Sequence, residues 1–292
     1  MDITRDLLPT WRDWIVENLQ RGCAPDSLIE AMRESDFDAP HASALVHEFR
    51  QRLESGEISK RHGVQSLVPA RTAFEYGVPR LPGGNTIETE DGGVCVAMRI
   101  ARPVVAVLNG VLSAAECDAL INLSRARLER STIVDPGTGE HGVIKERTSE
   151  GTFFMPAENE LVSALDRRIA QIMNCPLENG EGLQILHYGV GAQYTPHFDY
   201  FPPDQTGSTV HLARGGQRVS TLIIYLNEVT QGGGTIFPEL NLTVVPKKGS
   251  AVYFEYLNDR GQVDPMTLHG GAPVIQGEKW IATKWMRVGR FE

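Results

Sequence analysis

A chain of 292 residues with 41% apolar content can bury a sizeable core, either as two domains or as one large domain with an appendage. Its net charge of -9 argues against a nucleic-acid binder, which needs a concentrated positive surface, and leaves at most a local basic patch around Arg214 and Arg218. The four cysteines, Cys23, Cys95, Cys117 and Cys175, are too widely spaced for a metal knuckle or a disulfide framework, so a reducing compartment, the cytoplasm, is expected.

Met1 to Asp6 lacks the apolar stretch of a signal peptide. No later run approaches the ~20 apolar residues of a membrane span, so no membrane partner is expected. Trp11, Trp14, Ile15 and Leu19 then recur at helical spacing until Gly22 stops the run. A second helix opens at Pro25-Asp26 with Leu28, Ile29 and Met32 on one face. A third follows Pro40 and carries Ala42, Leu45, Val46, Phe49 and Leu53. Residues 1–60 therefore read as a helical N-terminal region whose core is barely enough to stand alone. Such a bundle either packs on the rest of the chain or recruits a partner or substrate. Residues 61–93 are polar and turn-rich, as in a linker, and residues 94–292 form the main domain.

Within that domain, Val104 to Leu108 is a short β-branched run, and Ser113-Ala-Ala-Glu116 matches a helix-capping box. The helix behind it uses Cys117, Leu120 and Ile121. Another, near Glu158 to Met173, uses Leu161, Leu165, Ile169 and Ile172. Between them, Ser131 to Ser149 carries turn residues at Asp135-Pro136-Gly137 and Gly139, the pattern of a hairpin able to close over a site. After Pro176 come short strands at 183–188, 218–226, 242–245, 251–256 and 279–288, bounded by turns. The fold class expected is mainly β with flanking helices (α+β), a jelly-roll core plus a small helical N-terminal region.

The densest chemistry lies in Tyr194-Thr195-Pro196-His197-Phe198-Asp199-Tyr200. Residues two apart on an extended segment face the same way, so His197 and Asp199 can offer one nitrogen and one carboxylate oxygen to a single metal. A second histidine completes a two-His-one-carboxylate set, which favours non-haem Fe(II). His269, in Leu268-His269-Gly270-Gly271, is the candidate, and ten residues later Lys279 opens an apolar strand. A lysine there is costly to bury unless it meets an anion, and the far carboxylate of a metal-chelating dicarboxylic acid would supply one. Tyr200, Phe201, Tyr225 and Phe254 read as core packing, and Trp280 by alternation faces away from Lys279. The Gly232-Gly233-Gly234 run is a turn rather than a phosphate loop, because no helix and lysine follow it.

Leu183-Gln184-Ile185-Leu186-His187-Tyr188, Tyr194 to Phe201, Gly215-Gly216-Gln217-Arg218, Gly232-Gly233-Gly234-Thr235 and His269 with Lys279-Trp280 together resemble prolyl 4-hydroxylases. The likeness is to the soluble plant and algal type and to the collagen enzyme's catalytic domain, and it spans roughly Pro103 to Val288. It implies a double-stranded β-helix and an Fe(II)- and 2-oxoglutarate-dependent dioxygenase that uses O2, with ascorbate as reductant. The reaction implied is 4-hydroxylation of prolyl residues in a peptide or protein. Carried over position by position, His197, Asp199 and His269 match the iron ligands. Lys279 matches the partner of the distal 2-oxoglutarate carboxylate, and Tyr188 and Thr221 match positions that help bind it. Tyr194, Arg218 and Trp285 match substrate-lining residues, and Arg147, with Thr148, Ser149 and Gly151, ends the loop over the substrate. Asp199 supplies the carboxylate that halogenases of the broad class commonly lack, which points to hydroxylation.

Two features depart from the pattern. Arg287 stands where relatives often have histidine, and residues 1–60 have no counterpart. The alternatives are the same iron chemistry on a free amino acid or natural-product precursor, or a metal-binding protein without turnover.

Overall fold

The structure is a computed structural model that describes residues 9–20, 24–34, 37–55, 74–130, 133–134, 141–142, 148–202 and 207–291. The chain divides into two compact units, Met1–Thr72 and Ala73–Glu292.

The first unit holds α1 (Pro9–Gln20), α2 (Pro25–Glu34) and α3 (Ala39–Glu54). Asp38 starts α3 by accepting the backbone N–H of His41, with proline in the first turn, and the expected stripe of Ala42, Leu45, Val46, Phe49 and Leu53 is buried. Ile15, Leu28 and Met32 close the core of this bundle, and Trp11 meets Trp14 and Phe37 edge to face. Of the stretch read as a linker, residues 61–73 lie outside the described residues. The part from Phe74 onward is structured: Leu81 is buried, and Thr86–Thr89 pairs as a strand with Gly92–Ile100. Ile87 and Val94, facing each other in that pairing, supply the burial that holds this edge down.

The second unit is built from β1 (Thr86–Thr89), β2 (Gly92–Ile100), β3 (Val105–Asn109), α4 (Ala114–Arg125), β4 (Glu129–Arg130), β5 (Ile133–Val134), β6 (His141–Gly142) and β7 (Glu150–Phe154). It continues with α5 (Glu160–Met173), β8 (Leu183–Tyr188), β9 (Tyr194–His197), α6 (Ser208–Leu212), β10 (Arg218–Tyr225), β11 (Gln231–Gly232) and β12 (Thr235–Phe237). The last strands are β13 (Leu242–Val244), β14 (Ala251–Glu255), β15 (His269–Gly271), β16 (Val274–Gln276) and β17 (Lys279–Arg287). A nine-stranded antiparallel sheet runs β1-β2-β3-β14-β10-β17-β8-β7-β4, and a four-stranded sheet runs β13-β12-β15-β9. This is the jelly roll expected, with the predicted strands in place and β5 paired to β6 in the segment read as a hairpin.

Strand alternation divides the large sheet's residues between two cores. Leu183, Ile185, Leu222, Ile224, Trp280 and Ala282 face α4 and α5, where Leu165, Ile169 and Ile172 are fully buried, each contributing roughly 1.5–3 kcal/mol. Leu186, Tyr188, Ile223, Tyr225, Phe254 and Ile281 face the smaller sheet. The capping box forms as read: Ser113 accepts from Glu116 N, and Glu116 reaches back to Ser113 N. Glu116 also pairs with Arg168 of α5 at 2.8 Å, which ties the two helices together. Trp280 packs on the helix side, as do Tyr225 and Phe254 on the other. Tyr200 is buried in the second core as read while one side of it lines a cavity, and Phe201, also read as packing, lines that cavity without joining either core.

Candidate active site

The metal-ligand set is assembled by strand pairing. His269, at the start of β15, lies directly opposite His197, at the end of β9. Gly270 permits that approach, because a Cβ there would sit 2.9 Å from the Tyr194 carbonyl oxygen. Asp199 follows two residues after His197, with its Oδ1 3.7 Å from His197 Nε2 and its Oδ2 3.5 Å from His269 Nε2. One ligand atom from each residue lies within 4.8 Å of the others.

Backbone carbonyls fix both imidazoles. His197 Nδ1 lies 2.9 Å from the Thr195 carbonyl and His269 Nδ1 lies 3.0 Å from that of Thr267. A carbonyl can only accept, so each Nδ1 carries a hydrogen and Nε2 is the nitrogen each ring can offer to a metal. Thr221 donates to Asp199 Oδ2 at 2.7 Å, and Arg218 Nη1 donates to the Asp199 carbonyl at 3.1 Å. Burial alone would push the Asp199 carboxyl up. The neighbouring His269 and His197, then Arg218 and the Thr221 hydrogen bond, outweigh it and hold the group down at about 2. Two imidazoles, neutral once they ligate, and one carboxylate suit Fe(II) and leave further coordination positions for a co-substrate.

The second requirement is a place for a dicarboxylic acid, and β17 provides it. Its alternate residues Lys279, Ile281, Thr283, Trp285 and Arg287 all line one cavity of about 1050 Å³ that also contains the triad. Lys279 is 2% exposed, its Nζ lies 5.4 Å from the Tyr188 ring centroid, and no acidic side chain pairs with it among the described residues. Burial lowers its pKa to about 8. Gly233 beside the stem adopts φ +67, and a Cβ there would crowd Val229 at 3.2 Å, so the turn next to the lysine requires glycine. Leu186, Ile223 and Ile281 give the same cavity an apolar wall. A buried cation without a counter-ion, at the end of an apolar slot, fits the far carboxylate of 2-oxoglutarate.

One expected co-substrate residue lies elsewhere. Thr221 does not line the cavity: it is fully buried behind Asp199, with its hydrogen spent on that carboxylate. Thr235 lines the cavity instead. Its oxygen accepts from the Tyr225 hydroxyl at 2.8 Å, which leaves its own hydrogen for an anion. Thr221 sits inside an alternating strand, while Thr235 follows a glycine turn, and only the folded register tells them apart.

Tyr188, Tyr194, Arg218 and Trp285 line the same cavity, with the Tyr194 ring stacked on His197 at 3.7 Å between centroids. Arg147 lies outside the described residues. Its neighbours are anchored: Thr148 N donates to the Gln193 carbonyl at 3.1 Å, Gln193 N donates to Thr148 Oγ1 at 2.9 Å, and Ser149 is buried. Sequence reasoning missed Glu181. Its carboxylate receives Arg218 Nε and Nη2 at 2.6 and 2.8 Å and Arg287 Nε at 2.6 Å. Burial would raise the Glu181 carboxyl, and the two guanidiniums hold it below the usual range. Its sequence context, Asn179-Gly180-Glu181-Gly182, reads as a solvated turn. The available signal was Arg218 and Arg287 at ends of apolar strands, which pair in register and need an acid between them.

Residues 183–287 match the 2OG-Fe(II) oxygenase superfamily. Prolyl 4-hydroxylase 2 of Arabidopsis thaliana is 39% identical over 213 residues, covering 66% of this chain and 70% of that protein. Prolyl 4-hydroxylase 5 of the same plant is 39% identical over 209 residues, covering 65% and 70%. The crystal structure of a viral collagen prolyl hydroxylase from Paramecium Bursaria Chlorella virus-1, as its 2OG complex, is 31% identical, with a TM-score of 0.50 over 63% of this chain and 95% of that one. With a triad that suits iron, a buried lysine that fits a carboxylate and relatives of this extent, the chain belongs to the Fe(II)- and 2-oxoglutarate-dependent oxygenases, among the prolyl 4-hydroxylases.

Proposed function

We propose that this dioxygenase hydroxylates prolyl residues within a peptide or protein. The observation that carries the reading is the extent of the cavity: at about 1050 Å³ it holds the triad and Lys279 and also takes in Phe153, Phe198, Phe201 and Trp285, the last lying six residues along β17 from the lysine. A co-substrate held at Lys279 leaves that stretch free, and aromatic-lined grooves suit extended proline-rich chains.

Bound iron and 2-oxoglutarate supply the oxidising power, turning dioxygen and the 2-oxo acid into succinate, CO2 and one hydroxyl group on the substrate. The protein's part is placement. His197, Asp199 and His269 hold the metal, while Lys279 and Thr235 hold the distal carboxylate. The apolar side chains between them keep water from the co-substrate's stem. The Tyr194 ring, stacked on His197, forms the wall a substrate ring would meet. Ascorbate as reductant belongs to the same proposal. So does a cytoplasmic location, supported by the free thiols of Cys95, Cys117 and Cys175. No described helix is long and apolar enough to cross a membrane.

Succinate release with Fe(II), ascorbate and a proline-rich peptide, with mass-spectrometric detection of hydroxyproline, tests the reading against Lys279→Ala. Peptide-stimulated turnover that yields hydroxyproline and disappears in the variant supports it. Turnover indifferent to peptide but stimulated by a free amino acid sinks the peptidyl assignment.

A further inference from the structure

The end of the cavity opposite Lys279 is a second cationic site. Arg287 is 4% exposed and Glu181 is 7% exposed, and both line the cavity with Arg218. Here two guanidiniums share one carboxylate. Arg218 is fully engaged, with Nε and Nη2 on Glu181 and Nη1 on the Asp199 carbonyl. Arg287 spends Nε on Glu181 and Nη1 on the His211 and Gly216 carbonyls, at 3.0 and 2.7 Å. Its Nη2 has no acceptor among the described residues. Asp199 offers no compensation here once its carboxylate is committed to a metal.

A second, independent donor comes from the same strand face and the same cavity wall. Trp285, two residues earlier on the same face of β17, is 8% exposed, and its buried Nε1 has no hydrogen-bond partner among the described residues. Its ring carries the Arg218 guanidinium at 4.0 Å, and Phe201 carries those of Arg218 and Arg287 at 4.9 Å each. The donors are therefore fixed in place by stacking. Indole N–H and guanidinium can only donate, so what completes them must accept, and the unshared positive charge selects an anion. Extended β17 separates Lys279 from Arg287 by roughly 26 Å, far beyond the reach of one five-carbon co-substrate.

We propose that Arg287 and Trp285 form a carboxylate subsite for the substrate, so that the preferred target bears a carboxylate near the hydroxylated residue. Two sources share that chemistry: an acidic side chain flanking the target, or a free carboxyl terminus, which includes that of a free amino acid. The placement of the subsite rests on the hydroxylase reading, because that reading assigns this end of the cavity to substrate.

Binding to the Zn(II)-loaded full chain with 2-oxoglutarate, which does not turn over, is the direct test. The ligands are a proline-rich peptide with both ends blocked, the same peptide with one glutamate beside the prolines, the same with a free C-terminus, free proline, and prolinamide. The expected result is about tenfold tighter binding of a carboxylate ligand than of its neutral partner, the scale of one charge-assisted hydrogen bond. That ratio should collapse toward one in Arg287→Gln, with Arg287→Lys intermediate, both checked for cooperative thermal unfolding. The glutamate and free-terminus arms identify the source. A wild-type protein that treats every carboxylate ligand and its neutral partner alike overturns the subsite, as does a ratio unchanged in both variants. A carboxylate preference confined to free proline keeps the subsite and overturns the peptide reading instead.

Discussion

Thr221 donates its hydroxyl hydrogen to Asp199 Oδ2 across 2.7 Å, and that bond fixes the role of Tyr256. An ionised carboxylate only accepts, so Thr221 Oγ1 is left to accept from the Tyr256 hydroxyl, 3.0 Å away. Tyr256 is fully buried, and its carbonyl accepts from Asp264 N at the head of the turn that presents Thr267 to His269. One polar chain thus orients two of the three metal ligands. Thr221→Val should raise the metal dissociation constant about tenfold, the lower end of what loss of a ligand-orienting partner costs. Co(II) titration of the metal-free protein measures it, with Thr221→Ser as the variant that retains affinity. Equal affinity in all three proteins would remove Thr221 from the metal site.

Lys279 predicts a pH dependence. Its ammonium loses charge near pH 8 because it is buried, so an incoming dicarboxylate meets a cation below that pH and a neutral amine above it. The 2-oxoglutarate dissociation constant should be flat up to about pH 8, then rise about tenfold per pH unit. Without ligand the sign is opposite for stability. Burial lowers this lysine from its ordinary 10.5 to about 8, the unfolded chain keeps the proton over that interval, and the fold gains stability as pH rises through it. Lys279→Met should bind 2-oxoglutarate roughly 10–100-fold more weakly at pH 7 and without the pH break. Calorimetry with Mn(II)-loaded protein from pH 6.5 to 9.5 checks both, and a wild-type profile flat to the end would refute the assignment.

The iron site was largely legible because its determinants are local: a His-X-Asp on an extended segment, a histidine before a glycine pair, and a lysine opening an apolar strand. The strand-rich fold was legible from turn spacing for the same reason. What sequence could not reach depends on which chain segments meet. Thr221 and Thr235 exchange roles because one faces the Asp199 carboxylate and the other the cavity. Glu181 looks like a turn residue until Arg218 and Arg287 arrive from two strands. Phe201 looks like core until the same arginines stack on it.

Lys284 shows the limit most sharply, since β17 carries two lysines in an apolar context and only parity separates them. Lys279 faces the cavity. Lys284, five residues on, faces the helices and pairs with Asp166 of α5 at 2.7 Å, both almost fully buried. Asp166 also accepts from Ala157 N at 3.0 Å, so it cannot swing out to water without loosening the start of α5. Lys284→Met leaves that carboxylate buried and unpaired, a loss of about 3–5 kcal/mol in unfolding free energy. Chemical denaturation should register it, with Lys284→Met/Asp166→Asn recovering part. The 2-oxoglutarate affinity of the folded fraction should not move, and a parallel loss would place Lys284 in the site instead.

The helical unit makes a prediction of its own. Ile15, Met32, Leu45, Val46 and Phe49 are buried in a cluster drawn from its own three helices, while the two cores of the catalytic unit draw on residues from Leu81 onward. The Tyr194, His197 and His269 walls and the Lys279 slot likewise come from the second unit. A chain beginning at Ala73 should then unfold cooperatively and bind Co(II) and 2-oxoglutarate with the dissociation constants of the full chain, each within about twofold. Weakened action on the true target, with metal and co-substrate binding intact, would give the helices a recruiting role. Loss of cooperative unfolding together with metal binding would make them part of what stabilises the jelly roll, and the independence argued from the two sets of cores would fail.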